Sequence, residues 1–289
     1  MRKLLAIALL TALVVITWAV LQPTEGQLAA QETGRRLYQS HLGDRPVPTP
    51  AVAQAPRQEV TAEPVTYGTV AGEEITGYLA RPANATEPLP GLIVIHEWWG
   101  LNENIEMMTQ RLAGEGYAAL AVDLFGQTAD TPEAARSQVQ AATQNPALLQ
   151  ENLRQAYRYL VETEAAPTIG SIGWCFGGSW SLQTALLFPD TLDAAVIYYG
   201  GNLVTDPTEL EPLSMPILGI FGGIDDNPPV ETVREFESVL NDLDKSVEIY
   251  IYEGADHAFA NPSGTRYNAA AAADAWEKTI AFLNEHLKG

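Results

Sequence analysis

The chain has 289 residues, 46% of them hydrophobic, which is enough for one large α/β domain preceded by an N-terminal extension. Its 36 acidic and 16 basic residues give a formal net charge of −20, and such an acidic surface repels nucleic-acid phosphates and anionic lipid headgroups. With a single cysteine, Cys175, the chain cannot form an intramolecular disulfide or a CxxC zinc site.

Residues 1–30 have the pattern of an export signal or a membrane anchor. Met1-Arg2-Lys3 is followed by a mostly apolar run from Leu4 to Leu21, whose length is close to that of a bilayer-spanning helix. Residues 31–59 contain several prolines and few large apolar side chains, which predicts a flexible tether. We therefore expect export to the periplasm or the extracellular space, with membrane contact only through the N-terminal segment if it stays uncleaved.

Residues 60–289 are predicted to form the folded domain. Two β-rich runs, Val60–Thr69 and Glu74–Arg81, predict an N-terminal hairpin. Short apolar runs typical of strands covered on both faces follow at Leu92–His96, Ala118–Asp123, Thr168–Trp174, Ala194–Tyr199, Ile217–Phe221 and Val247–Tyr252. Helical spacing is found at Asn104–Gly114, Thr131–Gln144, Pro146–Thr163, Ser179–Phe188, Pro229–Leu243 and Ala269–Leu287. The alternation predicts an α/β fold with a mostly parallel central sheet and helices on both faces, with ligands at the carboxyl ends of the strands.

The most informative motif is Gly173-Trp174-Cys175-Phe176-Gly177-Gly178, between a predicted strand and a predicted helix. It has the pattern of a nucleophile elbow with cysteine in place of serine, because the tight turn needs small residues two positions to either side of the nucleophile. A thiol at a helix N-terminus is favoured as the thiolate. The alternative is a buried structural cysteine among apolar neighbours.

A base and an orienting acid are expected later in the chain, in the order nucleophile, acid, histidine. Asp225 and Asp226 follow one strand, and His257 follows the last strand. Either carboxylate fits the role of orienting acid, and either could instead cap the next helix. The other histidines are predicted to lie in the tether, at the end of a strand and in the last helix: His41, His96 and His286.

A second candidate segment, His96-Glu97-Trp98-Trp99-Gly100, also follows a strand. It lacks the second histidine of a zinc-binding His-Glu-x-x-His helix, so we expect no metal there. Glu97 would lie at the same sheet edge as Cys175, where a carboxylate can accept or hold the thiol proton. The alternative is a surface glutamate beside two packing tryptophans.

Four blocks together resemble the dienelactone hydrolase family, and the likeness covers about Val60 to Leu287. They are Ile95-His96-Glu97-Trp98-Trp99-Gly100-Leu101-Asn102, Gly173-Trp174-Cys175-Phe176-Gly177-Gly178, Gly223-Ile224-Asp225 and Gly254-Ala255-Asp256-His257-Ala258-Phe259. The resemblance implies an α/β-hydrolase fold and a catalytic triad of Cys175, His257 and Asp225. It also implies that Glu97 activates the thiol and that the backbone N–H groups of Trp98 and Phe176 form the oxyanion hole.

One position departs from the family pattern. The better-known members carry an arginine four residues after the catalytic histidine, where it pairs with a substrate carboxylate, and this chain has Asn261 there. We expect Asn261 and Trp99 to line the substrate pocket. Arg81 is a candidate replacement for the arginine, with a structural ion pair as its alternative role.

The sequence thus predicts a monomeric hydrolase that cleaves a small ester or lactone through a cysteine nucleophile, of the carboxymethylenebutenolidase type, without cofactor or metal. The sequence leaves two alternatives open. One is a non-catalytic exported binding protein on a hydrolase scaffold. The other is an acyl transferase or thioesterase that uses the same triad.

Overall fold

The computed structural model describes residues 24–41 and 55–289. The apolar run of the predicted export signal, together with the central part of the predicted tether, lies outside these described residues. Within the described part, no helix is both long enough and apolar enough to span a bilayer.

One eight-stranded sheet forms the centre of the described domain, with strand order β1-β2-β4-β3-β5-β6-β7-β8. The strands are β1 (Val60–Val70), β2 (Glu73–Pro82), β3 (Gly91–Ile95), β4 (Ala118–Val122), β5 (Ile169–Trp174), β6 (Ala194–Tyr198), β7 (Ile217–Gly222) and β8 (Val247–Tyr252). β1 and β2 form the predicted antiparallel hairpin, and β2 pairs antiparallel with β4. The remaining neighbours in the sheet, in the order β4-β3-β5-β6-β7-β8, pair in parallel.

Helices cover this sheet and connect its parallel strands, and one further helix precedes β1 and packs against another helix. They are α1 (Glu25–Ser40), α2 (Glu103–Gly114), α3 (Pro132–Thr143), α4 (Pro146–Glu162), α5 (Phe176–Leu187), α6 (Pro207–Leu210), α7 (Val230–Asp242) and α8 (Ala269–Lys288). Strands β3 to β7 are buried along their whole length, as expected for strands covered on both faces. The predicted α/β fold is therefore confirmed.

The starts of several helices follow from local side-chain chemistry. The Asn102 side chain accepts the N–H of Ile105 at the start of α2, and the Thr131 side chain accepts the N–H of Ala134 at the start of α3. Pro146 occupies the first turn of α4, where its missing N–H costs no helical hydrogen bond. These local features set where the helices begin. For most of the predicted elements, the observed boundaries lie within about two residues of the predicted ones.

The structure departs from the sequence prediction at residues 31–41, which we assigned to a flexible tether. They form the end of α1 and its C-cap, and α1 packs against α3. A capping box between Thr24 and Gln27 starts the helix. Leu37 is 4% exposed, and burial of a leucine stabilises by about 1.5–3 kcal/mol. Composition alone does not reveal this docking, because it depends on a partner surface in the folded domain.

Candidate active site

Cys175 lies at the turn between β5 and α5, as the elbow motif predicts. Its backbone has φ 58° and ψ −116°, a left-handed conformation that is unfavourable for a residue with a side chain. The Cys175 N–H donates to the carbonyl of Tyr198 at 3.0 Å, which ties the turn to β6. Helix α5 begins immediately afterwards at Phe176, three residues earlier than predicted, so the thiol lies at a helix N-terminus.

The glycines of the motif are required by close backbone approaches. A Cβ atom on Gly173 would lie 2.1 Å from the carbonyl oxygen of Gly177. A Cβ atom on Gly177 would lie 2.2 Å from the carbonyl oxygen of Ile95 and 2.6 Å from that of His96. Neither position can hold a larger residue without movement of the main chain. The sharp turn, and with it the position of the thiol, therefore depends on these two glycines.

Asp225 is the orienting acid that the site geometry selects. Its Oδ2 lies 2.8 Å from Nδ1 of His257, and both side chains are fully buried. Its Oδ1 accepts the N–H of Asn227 at 2.7 Å, which fixes the carboxylate. Asp226, which the residues alone leave as an equal candidate, is exposed. The carboxylate holds the proton of His257 on Nδ1 and so directs Nε2 toward the thiol.

The thiol of Cys175 has two imidazole neighbours. Its Sγ lies 3.2 Å from Nε2 of His41, and the ligand atoms of Cys175, His41 and His257 all lie within 4.8 Å of one another. Burial raises the pKa of the thiol, but the two imidazoles outweigh this effect and bring it down to about 6. Burial disfavours the charged form of His257 and lowers its pKa, but Asp225 and Cys175 raise that pKa more strongly. The charges favour a thiolate and an imidazolium at neutral pH.

Glu97 lines a cavity with Tyr199, a neighbour of His257, and contacts the residue that departs from the family pattern. The Nδ2 of Asn261 donates to Glu97 Oε2 at 2.5 Å, and Asn261 Oδ1 accepts hydrogen bonds from Ser263. Both side chains are buried and line one small cavity with Tyr199 and Trp174. Asn261 therefore positions a carboxylate, a function that the sequence does not reveal.

The tryptophans after β3 are buried beneath the site. Trp98 is 0% exposed and Trp99 is 3% exposed, and their rings lie 4.8 Å apart. Trp98 stacks on the imidazole of His41, whereas Trp99 packs behind it and its carbonyl accepts the N–H of Ala129. His96, which precedes them in the same segment, is also held in place. The ring of His96 is occupied at both nitrogens, by the carbonyl of Glu97 at 2.6 Å and the N–H of Leu124 at 3.1 Å.

Arg81 is not part of the site, so the prediction that it lines the substrate pocket is wrong. It lies in β2 and pairs with Glu164 at 3.0 Å and with Glu63 at 3.6 Å. The β1–β2 hairpin forms one edge of the sheet, and β4 and β3 separate it from β5, which leads to the thiol. Arg81 thus has the structural ion pair that was its alternative role.

Three further residues reach the site without having been predicted: His41, Arg266 and Tyr199. Arg266 Nη2 lies 3.2 Å from Nδ1 of His41. The buried ring of Tyr199 lies 5.3 Å from that of His257, and its hydroxyl has no hydrogen-bond partner among the described residues. A tyrosine directly after β6 was a detectable signal, because it follows a parallel strand at its carboxyl end. His41 and Arg266 carried no such signal.

His41, Cys175 and His257 also form a group that could hold a metal ion among the described residues. The tautomer of His41 disfavours this role. Arg266 can only donate, so Nδ1 of His41 accepts and the ring proton lies on Nε2, toward the thiol sulfur. A metal ligand would need a lone pair on that same Nε2. The arrangement suits a hydrogen bond to a thiolate better than metal coordination.

The chain is similar to known proteins over most of its length. Residues 75–287 match the model of the dienelactone hydrolase family. A Saccharolobus solfataricus protein named "Putative carboxymethylenebutenolidase" is 33% identical over 252 residues, covering 73% of this chain and 94% of its own length. "Protein usf" of Aquifex pyrophilus is 32% identical, with coverage of 75% and 95%.

Among solved structures, one titled a putative dienelactone hydrolase from Klebsiella pneumoniae superposes with a TM-score of 0.70 at 28% identity. The superposition covers 78% of this chain and 98% of the Klebsiella chain. The match to the family model extends over most of the chain and includes the turn that carries Cys175, the Asp225–His257 pair and Glu97. The chain belongs to the dienelactone hydrolase family.

Proposed function

We propose that this protein hydrolyses small carboxylic esters or lactones through a cysteine nucleophile, as a carboxymethylenebutenolidase-type enzyme. The observation that carries the proposal is the buried Asp225–His257 pair, 2.8 Å between Oδ2 and Nδ1, beside a thiol at a helix N-terminus. A structural cysteine needs neither a strained backbone nor an oriented imidazole. The non-catalytic scaffold is therefore the weaker reading.

The first half of the reaction forms a thioester. The Cys175 thiolate attacks the carbonyl carbon, and the resulting oxyanion accepts hydrogen bonds from the backbone N–H groups of Trp98 and Phe176. Collapse of this intermediate breaks the bond between the carbonyl carbon and the leaving oxygen. The imidazolium of His257 gives its proton to that oxygen, which leaves as an alcohol or enol.

The second half releases the acid. Neutral His257 takes a proton from a water molecule, and the resulting hydroxide attacks the thioester carbonyl. The carbon–sulfur bond breaks, and the thiolate of Cys175 is regenerated beside a protonated imidazole. Asp225 remains ionised throughout and stabilises the imidazolium. No step needs a redox partner, and each proton that His257 gives or takes is returned within the cycle.

The surroundings of the thiol favour a small, flat substrate. Trp98 and Tyr199 present aromatic rings near the two histidines, and Trp174 and Phe176 flank the nucleophile. The Glu97 carboxylate is held by Asn261 and would repel an anionic group in its immediate vicinity. We therefore place any substrate carboxylate on the opposite side of the thiol.

The test compares hydrolysis of an aryl acetate and of a dienelactone by the full chain and by Cys175→Ala. We expect cysteine-dependent hydrolysis of at least one of the two. Asp226→Asn, which alters the exposed neighbour of Asp225, is the matched control and should retain activity. Full activity in Cys175→Ala on both substrates would refute the proposed nucleophile.

We also propose that the protein is exported. Support comes from the charged start, Met1-Arg2-Lys3, and the apolar run from Leu4 to Leu21. The test is cell fractionation of the full chain beside a variant with Leu9→Arg and Leu10→Arg, which interrupts the apolar run. Retention of both in the cytoplasm would contradict export.

A further inference from the structure

The thiol is covered by a segment that precedes the family domain. The family match begins at residue 75, whereas α1 ends at Ser40 and is followed directly by His41. His41 is 2% exposed, and its ring stacks on Trp98 with centroids 4.5 Å apart at an interplanar angle of 23°. The same ring lies nearly perpendicular to that of His257, with the ring centroids 4.9 Å apart. The imidazole therefore fills the space between the nucleophile, the base and Trp98.

This position is the one that a substrate carbonyl must take. A reacting carbonyl carbon has to approach the sulfur to about 3–3.5 Å, and Nε2 of His41 lies 3.2 Å from Sγ. The backbone N–H of Trp98, proposed for the oxyanion hole, belongs to the residue whose ring His41 covers. Substrate and His41 cannot occupy the site together.

Specific contacts hold the segment in place. α1 approaches α3 closely at Gly34, where an added Cβ atom would lie 2.6 Å from Cγ of Gln140. Leu37 is buried and lines a cavity with Phe176 and Trp180 of α5. On the far side of the ring, Arg266 donates to Nδ1 of His41. The contacts thus fix both the helix and the imidazole.

We infer that α1 and His41 form an autoinhibitory arm, a term we use for residues 25–41. In the docked state the arm occupies the acyl site, and substrate binds only when the arm has moved away. The inference rests on the proposed function, because it concerns access to the same thiol. Docked arm and substrate compete, so docking raises KM and leaves kcat unchanged.

The experiment measures kcat and KM for an aryl acetate at pH 8 with the full chain. Leu37→Glu places a charge in the buried contact and His41→Ala removes the imidazole, while Leu28→Glu alters a side chain of the same helix that is 51% exposed. We expect Leu37→Glu and His41→Ala to lower KM about tenfold or more, equal to at least ~1.4 kcal/mol of docking free energy. Leu28→Glu should stay within about twofold of the unaltered chain, because an exposed position contributes little to docking.

Thermal melting of each variant establishes that the domain is folded, and the rate of Cys175 alkylation by iodoacetamide gives a second readout. Because Leu37→Glu releases the arm from the thiol, we expect faster alkylation in this variant. An unchanged KM together with unchanged alkylation, or a lower kcat/KM in both arm variants, overturns the inference. Hydrolysis that survives Cys175→Ala contradicts the proposed function instead, so the two failures are distinguishable.

Discussion

Replacement of Asp225 by asparagine tests the electrostatic support of the nucleophile. The two imidazoles beside Cys175 bring its thiol pKa to about 6, against an ordinary value of about 8.5 for a free cysteine. Asp225 raises the pKa of His257 and so keeps that imidazole charged. In Asp225→Asn, His257 loses this support and only His41 continues to stabilise the thiolate.

Loss of the His257 charge therefore raises the pKa of the thiol, and a rise by one unit corresponds to ~1.4 kcal/mol. At pH 6 the thiolate fraction then falls from about one half to about one tenth. Because Cys175 is the one cysteine of the chain, the ultraviolet absorbance of its thiolate can be titrated directly as a difference against Cys175→Ala. This readout does not require substrate access to the thiol, so both chains can be titrated with the arm docked. A midpoint that is identical in Asp225→Asn and the unaltered chain would contradict support of the thiolate by Asp225 through His257.

Further predictions concern pH, the elbow and the hairpin edge. Because the thiol is protonated below its pKa, kcat/KM should fall about tenfold per pH unit below about 6, and a profile flat from pH 4 to 8 would contradict a thiolate nucleophile. Gly177→Ala forces a methyl group to 2.2 Å from the Ile95 carbonyl and should cost about 3 kcal/mol, a fall in Tm of about 6–12 °C. Gly126→Ala is its control: the methyl group meets nothing within 4 Å, so only the left-handed backbone (φ 71°) costs about 1 kcal/mol, and an equal loss in both variants contradicts the steric argument. Arg81→Ala should change the free energy of unfolding by less than about 1 kcal/mol and kcat/KM by less than about twofold, because Arg81 pairs with Glu164 away from the thiol. A rise in KM with unchanged stability would instead indicate that Arg81 contacts the substrate.

Much of the fold could be predicted because strand and helix periods are local properties. Residues adjacent in sequence determine the buried runs of β3 to β7 and the caps of α2 and α3. The elbow glycines likewise mark the turn that carries Cys175. The position of the orienting acid at Asp225 came from the family resemblance, and its 2.8 Å contact with His257 agrees with it.

Other features depend on distant parts of the chain and had no local signal. His41 meets Cys175 across 134 residues, and Arg266 meets His41 across 225. The contact between Asn261 and Glu97 spans 164 residues, so the sequence showed only that an arginine is missing. The helical propensity of residues 25–40 was visible in principle through the Thr24–Gln27 capping box, but the burial of Leu37 needs the folded α3–α5 surface.

Trapping the acyl-enzyme tests the cysteine nucleophile most directly. The full chain is mixed with an excess of an aryl ester, quenched in acid within the first turnovers, and its intact mass and peptide masses are measured. A cysteine nucleophile predicts a mass increase equal to the acyl group, confined to the peptide that contains Cys175 and absent from Cys175→Ala. Turnover of the ester with no adduct on that peptide, and equal turnover by Cys175→Ala, would contradict it.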